Sequence, residues 1–417
     1  MHVNKQQHRA TRLLHCTHDA ADYDGAVGMP IVTSTAYEQA TAEELEAVFT
    51  GRAPGYVYAR IGNPTVTAFE RQATVLEDGL GALACASGMS AVSATLILLA
   101  GGEGEIIASP AIFGGTRYLL TRTLPPLGIH THWVDMQDYA AVEKAITPAT
   151  RAIFTETIGN PAMTVADLDR LAEIADRYGV ALIADNTATP YICRPKDHGA
   201  HIIIHSASKF ISGHGNAIGG LIVDSGTFDW SPPRYAHMRE WVEKFRHFAF
   251  LAALRSQVQR DLGGCLSPFN AALLISGMES LPVRMERCCT NAAQLAAWLN
   301  ERSDVAEVNY PGLPAHPDYA IAEKMTDGKY GALLALRLGT RARCFKFINA
   351  LKIFRNVANL GDARSLVVHP ASTIARELDK ESMLSSGIYD DLLRISVGLE
   401  NVDDLIADCS GALDAAE

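Results

Sequence analysis

The residues best suited to chemistry stand together at His205-Ser206-Ala207-Ser208-Lys209-Phe210, followed by Ile211-Ser212-Gly213-His214-Gly215. A lysine between small hydroxyls and a glycine-rich turn lies beside groups able to hold an anion. In a desolvated site such an ammonium loses hydration, its pKa falls, and the neutral amine can form a Schiff base. An ordinary solvated turn lysine fits the same residues, so the rest of the chain must decide between the two. Upstream, Ala200-His201-Ile202-Ile203-Ile204 is apolar and β-branched. It reads as a short buried strand, which places the lysine just past a strand end.

From Thr65 onward the pattern alternates between helix and strand. Helices are expected over Thr65–Leu76, Ala91–Leu99 and Asp167–Tyr178, and strands over Gly81–Cys85, Glu105–Ser109, His130–Val134, Arg151–Glu156 and Val180–Asp185. This spacing predicts an α/β fold with a mainly parallel, doubly wound central sheet. Ligands of such sheets sit at the carboxyl ends of the strands. Here those ends carry Ser87-Gly88, Phe113, Glu156 to Asn160, Asp185 and Ser206 to Lys209. Ala86-Ser87-Gly88-Met89-Ser90 is a small-residue turn opening a helix, whose free N–H groups and positive dipole end suit a phosphate. The set matches what pyridoxal phosphate requires. A lysine holds it, an aspartate pairs with its pyridinium nitrogen, an aromatic stacks on its ring, and hydroxyls with helix amides hold its phosphate.

The remaining features narrow the class. The chain has 417 residues and a formal net charge of −11, with no Lys/Arg run, which argues against a nucleic-acid partner. Its eight cysteines form no C-x-x-C pair and read as free thiols in a reducing, cytoplasmic compartment. Met1 to His18 is polar and lacks the apolar stretch of a secretory signal, and the apolar run near Ala91–Ala100 is too short to span a bilayer. His198, His201 and His205 are three and four apart, but on a strand those spacings do not converge on a metal, so none is expected. Gly213–Gly219 lacks the dinucleotide fingerprint spacing. The expected organisation is an extended N-terminal arm with one helix over 1–60, a cofactor-binding large domain over 61–265, and a smaller C-terminal α/β domain over 266–417.

Taken together, the chain resembles the Cys/Met-metabolism enzymes that use pyridoxal phosphate, which have the type I, aspartate-aminotransferase-like fold. The resemblance runs from about Thr11 to Ala407. It rests on Tyr58-Ala59-Arg60, Ser87-Gly88-Met89, Asp185-Asn186-Thr187, Ser206-Ala207-Ser208-Lys209, the stretch from Ser365 to Ser372, and Arg394-Ile395-Ser396-Val397-Gly398-Leu399-Glu400. Within the family, Arg260-Asp261-Leu262-Gly263 and Asn359-Leu360-Gly361-Asp362-Ala363 look most like the O-acetylhomoserine sulfhydrylases.

The resemblance implies roles. Lys209 would carry the cofactor and move protons at the substrate, Asp185 would pair with the ring nitrogen, and Phe113 would stack on the ring. Ser87, Gly88, Met89, Asn160, Thr187, Ser206 and Ser208 would complete the cofactor site. Tyr58 and Arg60 would reach the phosphate from a neighbouring subunit, giving a homo-oligomer, a tetramer built from dimers sharing active sites. Arg394 would grip the substrate carboxylate with Ser365, Asn160 and Tyr58.

Four departures bear on the substrate. Phe113 stands where most members have a tyrosine, Gly115 where methionine γ-lyases carry a cysteine, Asp185-Asn186-Thr187-Ala188-Thr189-Pro190 is one residue shorter than the common form, and Thr373-Ile374-Ala375-Arg376 replaces the usual Thr-Thr-His. The implied activity is γ-replacement on O-acetyl-L-homoserine, or another O-acylhomoserine, with sulfide or a thiol. The alternative is γ-elimination from methionine, homocysteine or another γ-substituted amino acid such as canavanine.

Overall fold

A computed structural model describes residues 6–417; the first five residues of the expected arm lie outside them. A seven-stranded sheet dominates, in the order β1-β7-β6-β5-β4-β2-β3. Its strands are β1 (Gly81–Cys85), β2 (Glu105–Ala108), β3 (His130–Trp133), β4 (Thr150–Glu156), β5 (Ala181–Asp185), β6 (Ile202–Ser206) and β7 (Gly220–Asp224). Only β7 runs against its neighbours, so the sheet is mainly parallel.

Because side chains alternate along a strand, this sheet feeds two cores. Leu182, Ala184, Ile203, Leu221 and Val223 enter one, while Ala181, Ile183, Ile202, Ile204 and Ile222 enter the other. Burial on both faces explains why β5 and β6 read as unbroken apolar runs.

The five-stranded second sheet has the order β10-β11-β12-β9-β8. It contains β8 (Glu307–Asn309), β9 (Leu333–Arg337), β10 (Arg355–Asn356), β11 (Leu366–Val368) and β12 (Leu392–Ser396). The Leu281–Asn300 helix buries Met285, Cys288, Cys289, Ala292, Leu295 and Leu299 along one stripe, as its 3.6-residue period requires.

Two features differ from the sequence expectation. β6 begins two residues later than Ala200, because the Ala200 amide closes a turn onto the Pro195 carbonyl. Its end therefore moves forward to Ser206. The N-terminal region is not simply extended with one helix. Besides Ala42–Phe49 it holds Arg9–His15 and a single turn at Ala20–Tyr23. The first of these docks on the body, since Leu13 is fully buried and its carbonyl accepts a hydrogen bond from Gln72. The Thr41 cap on the Glu44 amide forms as the sequence suggests.

Helix ends set up the site. Asn63 caps the Pro64–Glu77 helix by accepting from the Thr65 and Val66 amides, worth about 1 kcal/mol. Ser87 caps the Gly88–Ala100 helix through the Ser90 amide. That helix starts hard against the end of β6. A Cβ on Gly88 would lie 2.7 Å from the Ser206 Cβ, so only glycine lets the first turn approach.

Candidate active site

The expected strand ends do converge. A cavity of about 300 Å³ is lined by Gly88, Met89, Phe113, Glu156, Asn160, Asp185, Thr187, Ser206, Lys209 and Arg394, among others. The strands bring these together by register: Glu156 lies opposite Asp185 across β4 and β5, and Asp185 opposite Ile204 across β5 and β6. Arg394 comes from β12 of the second sheet.

Lys209 donates from Nζ to the Asn359 side-chain oxygen at 2.6 Å. Burial, helped by the nearby charge of Arg394, lowers its pKa to about 8. Asp185 accepts from the Thr187 hydroxyl at 2.5 Å and the Thr187 amide at 3.0 Å. Burial raises its pKa, while these bonds and His205 restrain the rise. Glu156 accepts from the Phe113 amide at 2.6 Å and the Asn160 amide at 3.1 Å. Burial and the adjacent Asp185 push it well above the usual carboxylate range.

Arg394 is 3 % exposed and has no carboxylate partner among the described residues. One of its terminal nitrogens donates to the Asn160 side-chain oxygen, the other to the Asn359 carbonyl, and its Nε has no partner among the described residues. Burial lowers its pKa to about 10. A buried cation without a counter-ion is costly, so this group is built to meet an anion.

The donor set suits pyridoxal phosphate on the structure's own terms. An amine with a lowered pKa, a carboxyl held at a strand end, an aromatic wall and a helix start share one cavity. The Gly88 and Met89 amides belong to the first helical turn and have no intrahelical acceptor.

Other expected residues are elsewhere. The Ser208 hydroxyl donates to the Gly219 carbonyl at 3.2 Å and accepts from the Gly219 amide at 3.0 Å. The Ser365 hydroxyl is fully buried, donating to Glu400 at 2.8 Å and accepting from the Gly398 amide at 2.9 Å. Neither lines the cavity, because each is spent on fixing a neighbouring loop. Ser87 is spent on its helix cap. Tyr58 and Arg60 also lie outside this cavity. Tyr58 is 41 % exposed, and Arg60 reaches the Arg260 carbonyl. The three histidines diverge onto Asp169, Asp176 and Glu77.

Sequence reasoning gave no role to Asn359, which stands in a quoted motif, and none to Glu156, though both contact residues it did select. It also passed over Tyr118, which lines the cavity.

Comparison with known proteins decides the family. The model of the family described as Cys/Met metabolism PLP-dependent enzyme matches residues 10–414. The chain belongs to this family. It is 39% identical to the homocysteine synthase of Schizosaccharomyces pombe, covering 99% of both chains. It is 39% identical to the O-acetyl-L-homoserine sulfhydrylase of Leptospira meyeri, covering 92% of each. It is also 37% identical to the L-methionine gamma-lyase of Pseudomonas putida, over 99% of each. Among solved structures, one described as an O-acetylhomoserine (thiol)-lyase from Campylobacter jejuni superposes with a TM-score of 0.93 at 32% identity. The match covers 98% of this chain and 100% of that one, which carries pyridoxyl-lysine phosphate. The cofactor of this pyridoxal-phosphate-dependent enzyme family is therefore the one the cavity fits.

Proposed function

We propose that this enzyme replaces the γ-substituent of an O-acyl-L-homoserine, O-acetyl-L-homoserine foremost, with sulfide or a thiol. The observation that carries this reading is one cavity holding a low-pKa lysine, a buried carboxyl and a guanidinium without a counter-ion. The relatives named as homocysteine synthase and O-acetyl-L-homoserine sulfhydrylase support the acyl substrate.

When bound, pyridoxal 5′-phosphate supplies an electron sink that makes the α and β protons of an amino acid removable. The chain's residues do the rest. Arg394 takes the α-carboxylate, steadied by Asn160 and the Asn359 carbonyl. Asp185, held by Thr187, keeps a proton at the ring nitrogen. The Gly88 and Met89 amides and the Ser206 hydroxyl take the phosphate, and Phe113 covers the ring and excludes water. Lys209 moves protons at Cα and Cβ, for which a pKa near 8 leaves a useful neutral fraction at physiological pH. The γ C–O bond breaks with its electron pair on the departing carboxylate, and the sulfur nucleophile adds to the freed carbon.

γ-Elimination uses the same residues, and the Pseudomonas putida relative supports it. Gly115 stands where methionine γ-lyases carry a cysteine, which weighs against that assignment.

Tyr58 and Arg60, which lie outside the cavity of their own chain, would serve the cavity of a neighbouring copy, giving dimers and a tetramer of dimers. All eight cysteines are free, which supports a reducing, cytoplasmic setting. Among the described residues no helix is long and apolar enough to cross a membrane. We also assign 61–265 to the cofactor-holding part and 266–417 to the part that supplies Arg394.

The test supplies the holoenzyme with O-acetyl-L-homoserine, with and without sulfide, and separately with L-methionine and L-canavanine. Sulfide-dependent homocysteine with little α-keto acid is expected. Keto acid from methionine or canavanine without sulfide would replace this reading with the lyase.

A further inference from the structure

Two residues lining the cavity each carry a buried polar atom with no hydrogen-bond partner among the described residues: Arg394 its Nε and Tyr118 its phenol oxygen. The first is explained by an amino-acid carboxylate. The second belongs to a residue that lines the cavity along with the apolar Phe113, Met89, Val92 and Ile374. The other hydroxyl on this segment, Thr116, donates to the Met89 sulfur at 3.9 Å, and Phe113 has no hydroxyl to offer. A buried, unpaired phenol is unfavourable unless something bound supplies an acceptor.

The Arg122 guanidinium lies 4.6 Å from the Tyr118 ring centroid, and Arg122 pairs with Glu377 at 2.8 Å. Glu377 follows the Thr373–Arg376 segment, which contributes Ile374 to the wall. The ion pair therefore joins the two segments that border this part of the cavity.

We propose that Tyr118 donates a hydrogen bond to an oxygen of the substrate's γ-acyl group and selects esters over thioethers. This deepens the acyl-homoserine reading and rests on it. As the γ C–O bond breaks, its electrons pass to the departing carboxylate, which leaves as the anion. The phenol keeps its proton and stabilises the developing charge. A donor aimed at developing charge in a water-poor site has a large effect on rate. Tyr118 is thus a specificity-determining residue at the end of the substrate remote from Arg394's carboxylate.

The test is Tyr118→Phe, which removes one oxygen and keeps the ring, read in two ways. Turnover of O-acetyl-L-homoserine should fall by about a hundredfold. Turnover of L-vinylglycine, which has no γ leaving group, should be unchanged. An equal fall in both, or in neither, overturns the proposal.

The second reading is calorimetric binding to the holoenzyme of two unreactive analogues. These are N4-acetyl-L-2,4-diaminobutyrate, which keeps the carbonyl, and L-2-aminoheptanoate, which lacks it. The wild type should favour the amide by about tenfold and the variant should lose that preference. No preference in the wild type, or one retained in the variant, overturns the proposal. If the wild type turns over vinylglycine but not the ester, the acyl-homoserine reading fails, and the binding comparison still judges Tyr118.

Discussion

The strand-end wall of the cavity and the loop carrying Tyr58 and Arg60 differ in how their polar groups are used. In the wall, Lys209, Asp185, Thr187, Asn160 and Arg394 are enclosed and interlocked, and burial has moved the pKa of the lysine, the aspartate and the arginine. In the loop, Tyr58 and Arg60 are solvent-exposed, and Arg60 donates to the Arg260 carbonyl and lies over the Tyr58 ring, near Asp261. The wall is pre-organised within the chain, while the loop faces outward. Preorganisation matters because a group already desolvated and aimed needs no rearrangement when the reaction occurs.

Variants can break that contrast, starting with the wall. Lys209→Ala should abolish turnover and the visible absorbance of the bound cofactor; retention of either removes the lysine from its role. Arg394→Ala should lower kcat/KM by about a hundredfold or more, through loss of a charge-assisted carboxylate grip. The same variant should change the pH dependence of cofactor loading. Loading of the wild-type apoenzyme should rise with pH through about 8, because the ammonium must lose its proton before it can attack. Removing the Arg394 charge takes away one cause of the lowered pKa, so the midpoint should move upward, read from absorbance after mixing.

The loop should respond differently. Arg60→Ala should weaken cofactor retention by about tenfold, the value of one charge-assisted contact, and only in the assembled oligomer. Equal retention in an intact oligomer would leave the loop without a function. The smallest effect is expected from Ser365→Ala. Loss of its bonds to Glu400 and Gly398 should cost about 1–2 kcal/mol of stability in denaturant unfolding, with KM for the substrate unchanged. A raised KM would return Ser365 to the substrate site.

The strands were legible in the sequence because a doubly covered sheet demands apolar runs, and β1, β4 and β5 end within a residue or so of where those runs end. Lys209, Asp185, Phe113 and Gly88 were legible because they follow such runs. β7 was hidden, since Gly220-Leu-Ile-Val-Asp emerges from the glycine-rich stretch after the lysine and its pairing partners lie far away in the chain. The Arg9–His15 helix is one short segment capped by His8, which is not a usual capping residue. Ser208 and Ser365 show another limit. A motif fixes which hydroxyl is present, but its hydrogen-bond partner is fixed by distant loops. For the same reason Asn359 and Tyr118 were not recognisable, because their surroundings come from the packing of one sheet against the other.

The apolar cluster under β5 and β6 continues without interruption through Leu333, Leu334, Leu336, Leu393 and Ile395 of the second sheet. The two sheets therefore share one apolar layer. A fragment ending near residue 265 would expose the face it normally shares, and should aggregate. Shuffling the C-terminal portion between relatives would succeed only where the shared layer of side chains is carried along with it.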